Sequence, residues 1–282
     1  MTTENVPDEQ FCRFISSLHC DETTQDLTQP KQGSLKMVSS ALYIPKEDTR
    51  FPEGEDALFF CDKMQTIGVA DGVGGFSLKG VDAGEYARQL MKNSIVALAD
   101  EPRGAVNPKR VLKEAFRNTK AKGASTACII TLRNDDTLLA ANLGDSRFRV
   151  FRDGKCIYES PTQQHYFNCP YQMGNSRTSD RPSDAEELTV KVMAGDIVIA
   201  GTDGLFDNIY NVEIEKILSQ FQKGDEKICP KKLVSTILDV AYYNSHDKNY
   251  CSPFAEAAMD PDICGGKVDD ISMIVGLIQP VD

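Results

Sequence analysis

Histidine is scarce in this chain, and its three copies, His19, His165 and His246, show no H-E-x-x-H spacing. That excludes a zincin-type site, which needs two imidazoles one helical turn apart. The nine cysteines form no C-x-x-C pair and no C-x5-R loop. A disulfide framework, a zinc ribbon and a phosphocysteine mechanism are therefore disfavoured, and the odd, scattered count fits reduced thiols inside a cell. No apolar run approaches the roughly 20 residues that span a bilayer. Basic charge is short as well: 31 Lys and Arg against 42 Asp and Glu leave a net charge of -11. Nucleic acid and anionic membrane both attract a basic face, so neither is expected as a partner. The glycines after Asp71 precede no P-loop lysine and do not fit G-x-G-x-x-G, which removes a nucleotide-binding reading. The opening "MTTENVPDEQ" has neither an apolar signal core nor an Arg-rich transit pattern. It sets an expectation of cytosol or nucleus.

What is present is a chain of 282 residues with 41% hydrophobic content, enough for a sizeable core. Residues 1–34 are polar and aperiodic and read as a loosely ordered leader; residues 35–282 read as the domain. "ALFFC" (57–61) and "TIGVA" (66–70) read as a strand pair about a short polar turn. Ala83, Ala87, Leu90, Met91, Ile95 and Leu98 recur at helical spacing, and Asn107 with Pro108 opens a second helix. Strands return in "STACIITL", "TLLAANL", "RFRVF" and "KCIYE", then in "ELTVKVM" and "IVIAGT" across "AGD". Residues 160–186 read as a polar surface excursion. Two more helices, across Val212–Phe221 and Leu233–Ala241, precede a closing buried strand, "ISMIVGLI". Short hairpin-like links imply mainly antiparallel sheets, and helix pairs between strand blocks imply a layered α+β domain.

Carboxylates gather at the strand ends. Asp71 stops the apolar run "TIGVA"; Asp145 and Asp203 follow "LLAANLG" and "IVIAGT"; Asp269 and Asp270 precede "ISMIVGLI"; Glu55 and Asp56 precede "ALFF". In an antiparallel sheet the end of one strand lies beside the start of its neighbour, so these acids can meet on one edge. Asp207, four residues after Asp203, joins them if the chain turns helically there. Clustered carboxylates repel and protonate unless a cation intervenes. Oxygen ligands without His or Cys select Mg²⁺ or Mn²⁺. Each acid taken singly reads as a turn or cap residue; the joint placement carries the signal. Gly72, Gly74 and Gly75 then serve the same cluster, freeing a carbonyl and letting the chain bend away.

The motifs "GEDA" (54–57), "GVADGVGG" (68–75), "STACI" (125–129), "NLGDSR" (142–147), "AGTDGLFD" (200–207) and "DDIS" (269–272) together resemble the metal-dependent serine/threonine phosphatases of the PP2C (PPM) type. "TKAKGASTACII", "QQHYFN", "SPFAEAA" and "GGKVDDIS" are similar to its plant and organelle-related branch, which implies an organelle (chloroplast or mitochondrion) as the alternative location. The resemblance implies an αββα sandwich, two antiparallel sheets flanked by helices, with metal at one end. It implies that Asp71 bridges two ions, that Gly72 offers its carbonyl and Glu55 its carboxylate to one, and that Asp203 and Asp269 hold the other. Asp145 and Asp207 then help Asp203 hold a third, weaker ion, and Asp56 orders water around the ions. The implied reaction is hydrolysis of phosphoserine or phosphothreonine in a phosphoprotein, by a monomer, using water activated between two Mg²⁺ or Mn²⁺ ions. Two positions depart from the pattern. Val73 stands where many members have His, leaving His165 as a candidate acid weighed against an ordinary surface histidine. Phe51 stands where many have a phosphate-holding Arg; the neighbouring Arg50 is weighed against an ordinary surface arginine. Arg147 reads as a structural strand-end residue. These departures motivate the alternative of a non-catalytic regulator that binds a phosphoprotein.

Overall fold

The computed structural model describes residues 35–223 and 227–281; the expected leader, 1–34, lies outside the described residues. In chain order the strands are β1 (Leu35–Ile44), β2 (Asp56–Cys61), β3 (Thr66–Asp71), β4 (Ala124–Ser125), β5 (Ala127–Arg133), β6 (Thr137–Leu143), β7 (Arg147–Arg152), β8 (Lys155–Glu159), β9 (Gln164–Tyr166), β10 (Cys169–Pro170), β11 (Met173–Gly174), β12 (Glu186–Lys191), β13 (Ile197–Gly201) and β14 (Ile271–Pro280). The helices are α1 (Ala83–Leu98), α2 (Pro108–Asn118), α3 (Asp203–Phe206), α4 (Asn211–Gln222), α5 (Pro230–His246) and α6 (Pro253–Ala258).

Two main sheets form, in the orders β1-β14-β13-β7-β8 and β12-β6-β5-β3-β2. Their pairings are antiparallel throughout. Side chains alternate across a strand, and the sequence places apolar groups on both faces. In β5, Ala127 and Ile129 pack under α1 and α2 with Leu90 and Leu112. Cys128, Ile130 and Leu132 turn inward to meet Phe148 and Ile274 of the opposite sheet. In β14, Met273, Val275 and Leu277 face Leu233, Ile237 and Leu238 of α5. Each large apolar side chain removed from water in this way contributes about 1.5–3 kcal/mol. The result is the four-layer αββα sandwich that the resemblance implied. The caps are local: Asp82 accepts from Glu85 N ahead of α1, and Asn107 Oδ1 accepts from Arg110 N at 2.9 Å ahead of α2. Among the described residues no helix is long and apolar enough to cross a membrane.

The link "AGD" between β12 and β13 makes no hairpin, and the two strands lie in different sheets. Gly195 N donates to Ile278 O at 2.8 Å, and Ile278 N donates to Asp196 O at 2.9 Å. The link thus ties to β14 of the far sheet instead of closing on β12. The excursion at 160–186 is less bland than its composition: β9 and β10 pair, and β11 pairs with β4 while burying Met173. Val212 lies on the exposed side of α4, whose buried face is Ile214, Ile217 and Leu218.

Candidate metal centre

Strand ends bring the acids together. Asp56 opens β2 and Asp71 closes β3, and the register sets them directly opposite, where like charges repel. In the other sheet, Gly201 of β13 pairs with Met273 of β14. Asp203 therefore leaves one strand beside the point where Asp269 enters the next. Thr202 joins the two sheets through its hydroxyl, which donates to Asp56 Oδ2 at 2.8 Å. Asp203 starts the single turn of α3 and Asp207 caps its end, so the two stand on one face, as their spacing suggested. Asp145 follows β6, is 4% exposed, and accepts from Gln164 Nε2 at 2.8 Å.

Burial and mutual repulsion push these acids toward protonation. Asp71 is raised well above the ordinary aspartate value, by burial first and then by Asp203, Asp56 and Asp269. Asp56 is raised likewise by burial and Asp270. Asp145 is pushed up to about 7 and Asp207 to about 6, each by burial and then by Asp203. Burial also lifts Glu55 and Asp269. Asp203 is the exception: burial opposes its charge, but the Lys267 ammonium holds it below the usual range.

Two lysines that the sequence reading did not single out stand among the carboxylates. Lys46 Nζ reaches Glu55 Oε2 at 2.5 Å, Asp269 Oδ1 at 3.2 Å and Asp270 Oδ2 at 3.3 Å. Lys267 Nζ bonds Asp203 Oδ2, reaches Asp207 Oδ2 at 3.0 Å, and lies 3.3 Å from Asp269 Oδ2. The one sequence signal for Lys267 was a lysine two positions ahead of a strand-end acid, in "GGKVDD". Asp270 has a different job from Asp269. Its Oδ1 accepts from Tyr43 Oη at 2.8 Å and Lys46 N at 3.0 Å, and its Oδ2 accepts from Glu55 N at 3.1 Å. It straps the β1–β2 connection to β14.

Glu55 Oε1, Asp56 Oδ1, Asp145 Oδ1 and Asp203 Oδ1 are buried with no hydrogen-bond partner. Buried oxygens of this kind are expensive unless they meet a donor or a cation. Among the described residues no three acidic, His or Cys groups close as a finished ligand set around one point; the lysine ammoniums stand between the carboxylates. Oxygen donors alone, surplus negative charge and unpartnered buried oxygens all fit hard divalent ions. Gly72 is required by close approach: a Cβ there would lie 2.6 Å from the backbone oxygens of both Glu55 and Ala83. Gly75 faces open space, so the bend ascribed to it does not depend on a missing side chain.

The structure does not bring Arg50 or His165 into the cluster. The Arg50 guanidinium turns onto Asp48, with Nη2 at 2.7 Å, and its side chain is 61% exposed. His165 Nε2 lies 3.0 Å from Asp180, and its ring stacks on Tyr171. Arg147 sits over Phe206 with its guanidinium 3.6 Å from Glu159 and 3.7 Å from Asp207, at the rim.

No family model matches the sequence. Probable protein phosphatase 2C 55 of Arabidopsis thaliana is 47% identical over 285 residues, covering 99% of this chain and 60% of that relative. The chain thus spans about 60% of the length of the first curated relatives it matches. The protein phosphatase PTC7 homolog fig of Drosophila grimshawi is 37% identical over 245 residues, 80% of each chain. Among solved structures, the photosystem II phosphatase PBCP superposes with a TM-score of 0.79 at 30% identity, over 86% of this chain and 99% of that one. The catalytic domain of the serine threonine protein phosphatase PstP, in complex with two manganese ions, shares the fold at TM-score 0.59 and 19% identity, over 87% and 100% of the two chains. By its sequence and its fold, this chain belongs to the protein phosphatase 2C family.

Proposed function

We propose that the chain hydrolyses phosphoserine and phosphothreonine in phosphoproteins at a centre of Mg²⁺ or Mn²⁺ held by the acidic end of the sandwich. The observation that carries this is the set of buried, unpartnered carboxylate oxygens on Glu55, Asp56, Asp145 and Asp203. Asp71, the Gly72 carbonyl and Glu55 would hold one ion, and Asp71, Asp203 and Asp269 the other. When bound, such a pair lowers the pKa of a water and neutralises charge on the phosphoryl oxygens.

The chain's own residues do the positioning. Thr202 fixes one oxygen of Asp56 and leaves the other free to order water. The Thr126 hydroxyl accepts from Asp71 N at 3.0 Å and holds the end of β3 in place. Asp270 keeps Glu55 against β14. Val73 has no acid–base group, and His165 is engaged with Asp180, so neither stands ready to protonate the leaving alkoxide. A phosphate contact by Arg50 requires that it release Asp48.

The test uses the full chain dialysed against EDTA, with an aryl phosphate and a phosphothreonine peptide as substrates. Hydrolysis should vanish in EDTA and return with excess Mn²⁺ or Mg²⁺. Undiminished turnover in EDTA overturns the reading.

A further inference from the structure

Lys267 has an unusual amount of structure devoted to it. Its backbone is gripped on both sides by one buried amide: Asn208 Oδ1 accepts from Lys267 N at 2.9 Å, and Asn208 Nδ2 donates to Lys267 O at 2.8 Å. Asn208 is itself 0% exposed and also donates to Gly204 O at 2.8 Å, within α3. The preceding residues thread a narrow gap. Gly265 has φ +86°, and a Cβ on Gly266 would lie 2.0 Å from Asn244 O. The side chain passes the Phe254 ring, with Nζ 5.2 Å from its centroid, and only 15% of it is exposed. A solvated surface lysine pays entropy to hold one pose; this one has its path set by the Asn208 amide, the Asn244 backbone beside Gly266 and the Phe254 ring.

The path delivers Nζ to Asp203, Asp207 and Asp269. An ammonium has three N–H donors and no acceptor, and three carboxylates surround this one. Asp203 and Asp207 are the pair to which the family resemblance assigned a third, weaker ion together with Asp145. Asp145 still has a buried Oδ1 without a partner. A divalent ion held by Asp207 Oδ2 and Asp203 Oδ2 would repel the ammonium already on those two oxygens, whereas Asp203 Oδ1 has no partner and stays open to a core ion. A tethered cation with no translational entropy to lose has the advantage over a weakly held, largely hydrated one.

We infer that Lys267 is a built-in cation that takes the place of the third metal ion, so that this chain binds two divalent ions where the motif alone implies three. Asp207 then serves Lys267 rather than a metal. The positive charge at that position is permanent and independent of metal concentration. The inference rests on the reading of the acidic end as a divalent-metal centre.

Calorimetric titration of Mn²⁺ into the EDTA-dialysed full chain tests it without reference to turnover. The parental chain should saturate near two ions, and Asp207→Asn should leave that number unchanged, as expected for a two-metal site. Lys267→Met should gain roughly one further, weaker binding event, which Lys267→Met combined with Asp207→Asn should lose again. Circular dichroism with and without Mn²⁺ checks that each variant is folded. If Lys267→Met does not fold, the parental chain and Asp207→Asn decide alone. Three ions in the parental chain, one of them lost with Asp207→Asn, overturns the inference and keeps the metal centre. Two ions in both the parental chain and folded Lys267→Met also overturns it. No Mn²⁺ binding at all overturns the metal reading itself, and the inference with it.

Discussion

Strand β13 has an aspartate beyond each end, and the two ends are built differently. Asp196, ahead of the strand, is 1% exposed. Arg152 grips it through Nε and Nη2, both at 2.8 Å, and Met193 N donates to it at 2.9 Å. Asp203, past the other end, is 8% exposed. Lys267 bonds its Oδ2, while its Oδ1 is buried without a partner. Taking a carboxylate out of water costs several kcal/mol unless a paired charge offsets it. At Asp196 the offset comes from within the chain. At Asp203 and its neighbours the carboxylates outnumber the nearby ammoniums, and on the proposed reading the remainder is met by divalent ions. One end of β13 uses charge to hold the fold together, and the other, on the proposed reading, keeps charge in reserve for metal ions.

The largest effect is expected where the reserve is removed. Asp71→Asn should lower aryl-phosphate turnover on the order of a thousandfold or more, since metal-site chemistry supplies several kcal/mol and about 1.4 kcal/mol is a factor of ten. In EDTA the same variant should melt no lower than the parent, because the amide removes a charge that burial and three neighbouring acids already oppose. A variant that melts lower in EDTA would instead class Asp71 with Asp196.

Asp196→Asn should give the opposite pattern. Losing the paired charge costs about 1.5–3 kcal/mol, a fall in Tm of roughly 5 °C for a chain of this size. Turnover of the folded protein at 25 °C should match the parent. Reduced kcat with full folding would show that β13 couples its two ends.

Gly72→Ala should blur the distinction. Its Cβ meets backbone oxygens of Glu55 and Ala83, so the strain of roughly 1–3 kcal/mol from overpacking falls on a proposed ligand. Tm and Mn²⁺ affinity should drop together, whereas Gly75→Ala, facing open space, should change neither. Equal behaviour of the two variants would break the steric argument. The smallest effect belongs to Arg50→Ala. An exposed ion pair contributes little, so kcat/KM should stay within about twofold of the parent. A fall of about tenfold would mean that Arg50 leaves Asp48 to meet the phosphoryl group.

Most of the acidic cluster was legible in the sequence because strand-end chemistry is local. An apolar run that stops at Asp71 or resumes after Asp269 marks a strand boundary, and antiparallel pairing does the rest. The alternation that buries both faces of β5 and β14 was readable for the same reason. Three features were not. Asp196 and Asp203 are equivalent in "GDIVIAGTD", and only the position of Arg152 on the paired strand β7 tells them apart. The link at Ala194–Asp196 looks like a turn, yet it bonds to Ile278 of β14 and sends the chain to the other sheet. Lys46 and Lys267 look like ordinary surface lysines.

The strands and helices, the antiparallel layers and the all-oxygen acidic edge follow from local order along the chain, because periodicity and strand-end residues act over a few positions. Which charge each carboxylate meets is set by long-range packing. Lys46 reaches Asp269 across 223 positions of the chain, and Lys267 reaches Asp203 across 64. Coulombic pairing depends on distance in space and on burial, and neither is written in the spacing of residues along the chain.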